Sequence, residues 1–255
     1  MIQGARVSAN VLHDNATDDL YLEVGHGPFL VDNNILLSTT SLRDKSQGGA
    51  FAHNLFAGLI DCADELRRAT PHHAAHRTAI IGRSNIPGGD HRWHNNLFVG
   101  GDARPANPDD GYSVERSRFV DFGLAGYARR PAPSVAVGNT YTKNARPLAT
   151  ERNATLLPTA EVQPRLVEAD GRVFLELFFP PECVATDTAT VTTALLGRTA
   201  LTKLPFENPD GSPLVLSHDI TGKRRPAEYP TVGPLESPGS GPLRVPLPPA
   251  GAQSR

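Results

Sequence analysis

A short phrase that begins with asparagine recurs along the first half of the chain. Each phrase is Asn followed by two mostly apolar residues, and the phrases begin at Asn10, Asn34, Asn54, Asn96 and Asn139. Their separations are 24, 20, 42 and 43 residues, which are single or doubled steps of roughly 20 to 24. Self-similarity of this length, built on short β-prone segments, is typical of a solenoid.

The repeat predicts a parallel β-helix, in which each coil contributes short strands that stack on the coils above and below. Asparagine at a recurrent corner tolerates the left-handed backbone that a tight bend requires. Its amide can also hydrogen-bond the asparagine of the next coil. We therefore predict an all-β fold whose coils are aligned by a ladder of asparagines.

Composition agrees with this fold class and disfavours some partners. Glycine and proline contribute 23 residues each to a chain of 255, which indicates many turns and little helix. A net charge of −2 provides no broad basic surface, so nucleic acid and membrane are not expected as partners. The chain has no apolar run long enough for a signal peptide or a membrane span, and we expect it to be cytoplasmic.

The two cysteines, Cys62 and Cys183, are far apart and lack a CxxC partner. This arrangement fits neither a disulfide framework nor a zinc site. We predict two free, buried thiols.

The sequence divides into three segments. Residues 1–150 carry the coils, residues 151–236 form an irregular β-rich extension packed along the solenoid, and residues 237–255, dense in Pro, Gly and Ser, are predicted to be disordered. Asp170-Gly171 between two apolar runs predicts a hairpin, and residues 188–201 fit either a strand or a short helix.

Two insertions between coils are expected, at residues 61–86 and 101–113. The first contains a stretch that favours a short helix, residues 63–69. Insertions in a solenoid emerge on one face and commonly form the binding side.

The chain enters a repeat without a capping element, because residues 5–10 already belong to a coil. An uncapped first coil exposes apolar faces and unpaired strand edges. We therefore expect that N-terminal coils are missing from this sequence.

Glu23 is the leading candidate for chemistry. In residues 20–24, Leu20, Leu22 and Val24 share one face of a strand, while Tyr21 and Glu23 share the other. A carboxylate that projects from a sheet beside a histidine could act as a general acid or base. A solvated glutamate on an exposed strand is the simpler alternative.

Other polar groups give weaker signals. Asp14, Asp18 and Asp19 lack the alternation of a calcium loop and predict a turn. His72 begins an HHxxH cluster, but no Asp or Cys lies close by, so a sugar contact or a polar loop is favoured over a metal. Trp93 is the only tryptophan, and it either belongs to the core or stacks on a sugar ring.

Several segments together resemble the C-terminal half of the β-xylosidases of glycoside hydrolase family 120. They are residues 3–8, 13–15, 23–34, 47–51 and 88–92, of which 23–34 (Glu-Val-Gly-His-Gly-Pro-Phe-Leu-Val-Asp-Asn-Asn) is the most specific. The resemblance covers residues 1–225 approximately. It implies a right-handed parallel β-helix and a role in xylan degradation and carbohydrate metabolism. It also implies a retaining mechanism, in which one carboxylate attacks the anomeric carbon and another protonates the leaving oxygen.

The resemblance also implies roles for residues of this chain. Glu23 matches the acid/base, and Gln3 and His26 match positions beside the site. We add His72 and Trp93 as candidate sugar contacts. The family's nucleophile is an aspartate just ahead of the segment that matches residues 1–4, so the resemblance places it upstream of Met1 and implies that this chain is inactive by itself.

The expected ligand is therefore a xylo-oligosaccharide or another plant-polysaccharide fragment, with no metal and no cofactor, and a homo-oligomer stays open. A non-catalytic carbohydrate-binding or structural β-helix is the alternative. A polysaccharide lyase is a third reading, but it would require calcium carboxylates and a proton-abstracting base that do not converge in this sequence.

Overall fold

The computed structural model describes residues 3–101, 120–183 and 188–247, and these ranges are almost entirely β. Helical structure in them comprises α1 (Thr193–Leu196) and two 3-10 turns, Ala125–Arg129 and Pro181–Cys183. The prediction of a β-rich chain is confirmed.

The first half of the chain builds three parallel sheets. The first contains β1 (Arg6–Ser8), β4 (Phe29–Asp32), β7 (Gly49–Ala52), β12 (Arg92–His94) and β15 (Val135–Val137). The second contains β2 (Val11–Leu12), β5 (Ile35–Leu36), β8 (Leu55–Phe56), β13 (Leu97–Val99), β16 (Thr140–Thr142) and β17 (Thr155–Leu157). The third contains β3 (Leu20–Glu23), β6 (Thr40–Lys45) and β9 (Leu59–Cys62), with β14 (Val120–Asp121) added antiparallel to β9.

Consecutive strands enter the three sheets in order, and each circuit pairs with the one before it. Strands β1 to β3, β4 to β6 and β7 to β9 form three such circuits. The parallel register aligns Val7, Val31, Phe51, Trp93 and Ala136 in one row. Because paired residues of neighbouring strands point to the same face, this row stacks as one line of apolar side chains.

The asparagine ladder joins the circuits at the corner between the first and second sheets. The Nδ2 groups of Asn10, Asn34, Asn54 and Asn96 each donate to the Oδ1 of the next asparagine, at 2.9–3.0 Å. Each Oδ1 also accepts from the backbone N–H of the preceding rung. The amide ladder predicted from the repeat is confirmed.

The predicted backbone conformation of these asparagines is wrong. The left-handed residue is the one just before each asparagine: Ala9, Asn33, His53, Asn95 and Gly138 have φ between 54° and 69°. The bend is therefore made one position earlier, which leaves the asparagine side chain free to point along the stack.

Trp93 belongs to the core. It is fully buried and stacks on Phe51 with ring centroids 3.9 Å apart. Phe56, Phe98 and Tyr141 form a second stack, with successive centroids 5.1 and 4.8 Å apart. Parallel register places large aromatic rings at one spacing, so stacking follows from the coil repeat. The predicted sugar contact of Trp93 is inconsistent with this burial.

The insertion at residues 61–86 is a hairpin, and the helix predicted for residues 63–69 is wrong. Strands β10 (Glu65–His73) and β11 (Ile80–Ile86) pair antiparallel. Pairing with β11 overrides the helix-favouring Glu-Leu-Arg-Arg-Ala composition, which is only a weak local preference. The expected insertion at residues 101–113 lies, apart from Gly101, outside the described residues.

The second half of the chain covers the outer faces of two sheets. Val191, Leu196 and Phe206 pack on Leu30 and Ala50 of the first sheet. A second cluster packs the outer face of the second sheet against the hairpin strands: Ile35, Leu55, Leu97, Leu175, Leu177 and Phe179. The outer face of the third sheet, which carries Glu23, belongs to neither cluster.

The hairpin predicted at Asp170-Gly171 is present. Strands β18 (Arg165–Ala169) and β19 (Arg172–Phe179) pair antiparallel across it, and both turn residues have positive φ, 51° and 70°. The ambiguous residues 188–201 contain α1.

Part of the segment predicted to be disordered is a strand, β20 (Gly241–Pro246), paired with β19. Its alternate residues Leu243 and Val245 pack on the second cluster, which explains its order. The domain boundaries at residues 150 and 236 stay predictions.

Cys62 and Cys183 form no disulfide bond with each other, and both are buried, as predicted. Burial raises the pKa of each thiol to about 12. Among the described residues, no helix is long and apolar enough to cross a membrane.

Candidate functional site

Glu23 ends strand β3 on the outer face of the third sheet. Leu22, one residue earlier, is buried and pairs with the inward-facing Asp44. Alternation along the strand then turns Glu23 outward, where 40 % of its side chain is exposed. Its register partner on β6 is Lys45, so a cation lies on the same face, with Cα atoms about 4.8 Å apart.

The chain leaves the strand at Val24, which has a φ of 53°. A left-handed conformation is unusual for a β-branched residue and costs about 1–3 kcal/mol. Gly27 is required in the same turn, because a Cβ there would lie 2.0 Å from the carbonyl oxygen of Gly48. This strained turn fixes the position of Glu23 relative to the next circuit.

His26 anchors the turn rather than facing solvent. It is 2 % exposed. Its Nδ1 lies 3.0 Å from the Gln47 amide nitrogen, and its Nε2 lies 3.0 Å from the carbonyl oxygen and 2.9 Å from Oγ1 of Thr70. Burial lowers the pKa of His26, so the neutral ring is favoured. With both ring nitrogens engaged, the predicted sugar contact of His26 is not supported.

The β10–β11 hairpin places Arg68 against Glu23. Glu65 pairs with Ile86, and the next pair is Thr70 with Ser84. Between these two pairs β10 advances by five residues and β11 by two. The extra residues form a bulge, a feature that redirects side chains. From this bulge Arg68 Nη2 donates to Glu23 Oε1 at 2.5 Å.

Gln3 contacts the same hairpin, and His72 belongs to its first strand. The Gln3 amide donates to the His73 carbonyl oxygen at 2.8 Å and accepts from the His73 N–H at 2.9 Å. His72 packs edge-on against His26, with ring centroids 5.6 Å apart. The hairpin therefore contacts Glu23, His26 and Gln3 at different points and contains His72. Trp93 lies in the core.

A cavity of about 680 Å³ opens beside Gln3. Its walls come from the first two circuits, the hairpin tip and residues 204–214, and they include Phe29, Phe206, His73 and His76. Glu23 is not among its lining residues.

The HHxxH cluster does not converge. His73 Nδ1 lies 3.0 Å from the Thr78 carbonyl oxygen, His76 Nε2 lies 2.7 Å from Glu207 Oε1, and His72 faces His26. In the part of the chain that is described, no group of three His, Cys, Asp or Glu side chains could hold a metal.

The acidic group at residues 14–19 lies at the other end of β3. Asp19 accepts from the backbone N–H of Ser38 at 2.8 Å, and Asp18 lies 3.3 Å from Arg43 Nε. Asp19 and Glu23 are four positions apart in extended chain, a Cα span of about 13 Å. The carboxyl pair of a retaining glycosidase is about 5–5.5 Å apart, so these aspartates are poorly placed to attack.

Inside the coil lies a polar cluster that the sequence analysis missed. Asp44 Oδ2 lies 2.9 Å from His91 Nε2 and accepts from the Tyr127 hydroxyl at 2.7 Å. Burial opposes ionisation of Asp44, but His91, Ser46 and Tyr127 together outweigh it and lower its pKa. Burial, reinforced by Asp44, raises the pKa of Tyr127 well above its ordinary value. The cluster faces the aromatic core, away from Glu23.

Comparison with known proteins gives one clear relationship. No family model and no curated protein matches this sequence. The structure is similar to XylC, solved as a complex with xylose, with a TM-score of 0.82 and 28 % sequence identity. The match covers 96 % of this chain and 40 % of the XylC chain. This chain thus shares the β-rich fold of that part of XylC and spans less than half of its length.

Proposed function

We propose that this chain belongs to a retaining glycoside hydrolase that releases xylose from β-xylosides, and that its three stacked sheets form a right-handed parallel β-helix. The observation that carries the proposal is the likeness to XylC, a protein solved with xylose, over 96 % of this chain. The resemblance of residues 23–34 to the β-xylosidases of glycoside hydrolase family 120 supports the same assignment.

Glu23 is the proposed acid/base. It is half-exposed, lies on the sheet face that the C-terminal extension leaves uncovered, and follows a rigid turn. A glycosidic oxygen needs a proton as it leaves, and a carboxyl group held at a fixed place can supply it.

The attacking carboxylate is proposed to come from outside residues 3–247. Asp14, Asp18 and Asp19 lie at the far end of the strand, and Asp44 points into the core. The family resemblance assigns this role to an aspartate just ahead of the segment that matches residues 1–4. This chain covers 40 % of XylC, so XylC contains segments that have no counterpart in this chain.

An assay with xylobiose, whose leaving sugar oxygen needs a proton, tests this proposal. We expect negligible release of xylose by the chain, and release when a small anionic nucleophile such as formate is added to replace the attacking carboxylate. Glu23→Gln should abolish that rescued activity. Glu168→Gln, which alters an exposed glutamate of β18, is the matched control and should retain it.

The non-catalytic alternative has one observation in its favour, the Arg68–Glu23 ion pair, which occupies the proposed proton donor. Calorimetry with xylobiose separates the two functions. Binding without rescued turnover supports a carbohydrate-binding protein, and the absence of both binding and turnover refutes the xylosidase proposal.

A further inference from the structure

Three separate segments of the chain are joined around the cavity beside Gln3. The Gln3 amide makes two hydrogen bonds with the backbone of His73, which join the first circuit to the hairpin tip. His76 Nε2 lies 2.7 Å from Glu207 Oε1, and this contact joins the tip to residues 204–214. The cavity of about 680 Å³ is therefore enclosed by contacts, and its volume lies in the range of small-molecule sites, about 300–1,000 Å³.

Two phenylalanines give the cavity apolar walls that are fixed in place. Phe29 belongs to the coil core and meets the ring of Phe51 edge-on, with centroids 5.9 Å apart. Phe206 packs on the first sheet, and the Arg92 guanidinium lies 5.3 Å from the centre of its ring. Walls that are already ordered cost little to bind against, and an apolar wall suits the C–H face of a bound ring.

Arg6 and Glu207 each bring an unused hydrogen-bonding atom to the cavity wall. Arg6 donates through Nε and Nη2 to Asp32, both at 2.8 Å, which leaves Nη1 without a partner among the described residues. Glu207 uses Oε1 for His76, and its Oε2 makes no hydrogen bond with any described residue. A free donor and a free charged acceptor suit hydroxyl groups, because a hydroxyl can both donate and accept.

The charges around the cavity balance. Arg6 and Arg77 line it with positive charge. Asp32, which is bound to Arg6, and Glu207 supply two negative charges. With its histidines neutral, the wall has no net charge, so it does not favour a charged ligand.

We propose that this cavity binds a neutral sugar in its six-membered ring form, at a site separate from Glu23. The C–H face of the ring lies on the apolar wall, Glu207 Oε2 accepts from one hydroxyl, and Arg6 Nη1 donates to another. Glu23 precedes the turn at residues 24–28, and Pro28 at the end of that turn lines the cavity. The inference goes beyond the proposed function, because it requires neither Glu23 nor a catalytic step.

Calorimetry with two six-membered rings tests the ligand class. D-xylose carries several hydroxyls and cyclohexanol carries a single one, and each is titrated into the full chain. We expect D-xylose to bind at least about tenfold tighter, the scale of one hydrogen bond to a charged group. Equal or tighter binding of cyclohexanol overturns the assignment of a sugar.

Ala75→Trp locates the site. Ala75 is exposed at the hairpin tip and lines the cavity, so an indole there should fill the space and weaken D-xylose binding at least about tenfold. Ala227→Trp, at an exposed position outside the cavity, is the matched control and should leave the affinity unchanged. Urea midpoints check that both variants fold. Wild-type affinity in a folded Ala75→Trp variant overturns the placement of the site.

Two further variants separate the Glu207 carboxylate from its contact with His76. Glu207→Gln removes the charged acceptor and should weaken D-xylose binding about tenfold. His76→Gln breaks the same contact but keeps the carboxylate, so it should change the affinity less than about threefold. Equal losses in the two variants overturn the role assigned to Glu207 Oε2.

The outcomes distinguish this inference from the xylosidase proposal. Formate-rescued hydrolysis of xylobiose depends on Glu23 and should survive Ala75→Trp. Rescued turnover in a chain that does not bind D-xylose in the cavity refutes this inference alone, and so does loss of that turnover in Ala75→Trp, which would show one continuous site. Cavity binding without rescued turnover supports this inference and counts against the xylosidase proposal.

Discussion

Removal of the central amide from the asparagine ladder should destabilise the fold strongly. Asn54 is fully buried. Its Nδ2 donates to Asn96 Oδ1 and to the Val31 carbonyl oxygen, both at 2.9 Å. Its Oδ1 accepts from the backbone N–H and the Nδ2 of Asn34, at 3.0 and 2.9 Å.

The size of the effect follows from the donors left behind. In Asn54→Ala, two N–H groups of Asn34 lose their acceptor inside the protein. Each unsatisfied buried donor costs about 1–3 kcal/mol, so we expect a loss of about 2–6 kcal/mol in the free energy of unfolding. With a urea m-value of about 1–3 kcal/mol/M, the unfolding midpoint should fall by roughly 1 M or more.

Asn10→Ala is the matched control. Asn10 is exposed and has the same side chain at the edge of the same ladder. Its Nδ2 donates to Ser8 and Asn34, and no described donor uses its Oδ1. The expected loss is below about 1 kcal/mol. We attribute the stability to the buried hydrogen bonds of the ladder and not to the asparagine side chain as such. Equal shifts in the urea midpoint for the two variants would refute this explanation.

Three other changes give distinct outcomes. Trp93→Ala should cost about 3–5 kcal/mol of unfolding free energy, and wild-type fluorescence should resist iodide quenching; quenching as in free tryptophan would contradict its burial. Burial, with Arg152 and Arg92, lowers the pKa of His94 to about 4. Neutral His94 therefore stabilises the fold above pH about 6.5, and stability should fall as pH is lowered from there towards 4. The urea midpoint of His94→Gln should fall less over the same pH range. An equal fall in the variant and the wild type would show that His94 is not the cause. Burial raises the pKa of Glu151, so the folded protein keeps the proton of Glu151 to higher pH than the unfolded chain does. Stability should therefore fall as pH rises from about 4.3 through the raised pKa. Glu151→Gln should flatten that decline in urea midpoints, and an undiminished decline would show that another group causes it.

The stacked coils could be predicted from the sequence because contacts that recur in every coil require the same residue type in every coil. Every rung of the ladder uses the same amide in the same way, so the spacing of asparagines encodes the stack. The bend before each rung had no such signature. Its residues are Ala9, Asn33, His53, Asn95 and Gly138, which share a backbone conformation but not a side-chain type.

The surroundings of Glu23 were only partly predictable. Alternation along β3 correctly predicted an outward carboxylate. The contact with Arg68 joins residues 45 positions apart, and it depends on a bulge within a segment of helix-favouring composition. Such a contact between distant residues has no local sequence pattern, because it depends on which strand pairs with residues 65–73.

The polar cluster of Asp44, His91 and Tyr127 could not be predicted from the sequence for the same reason. His91 lies in residues 88–92, one of the segments that carry the family resemblance. Asp44 and Tyr127 are single polar residues in otherwise ordinary segments. They meet only because β6, the segment after Gly89 and the 3-10 turn at residues 125–129 converge inside the coil.

The ladder has a direction, and its last contact decides where the array can grow. The amides of Asn34, Asn54 and Asn96 each accept from the rung before them and donate to the rung after them. Asn139 donates instead to Glu151 Oε1 at 2.8 Å, and an ionised carboxylate has no hydrogen to donate to a further rung. A duplicated coil inserted between Asn34 and Asn54 could form the same asparagine–asparagine hydrogen bond with the coil on either side. One appended after Glu151 would meet a terminus, so lengthening by duplication is confined to positions ahead of that carboxylate.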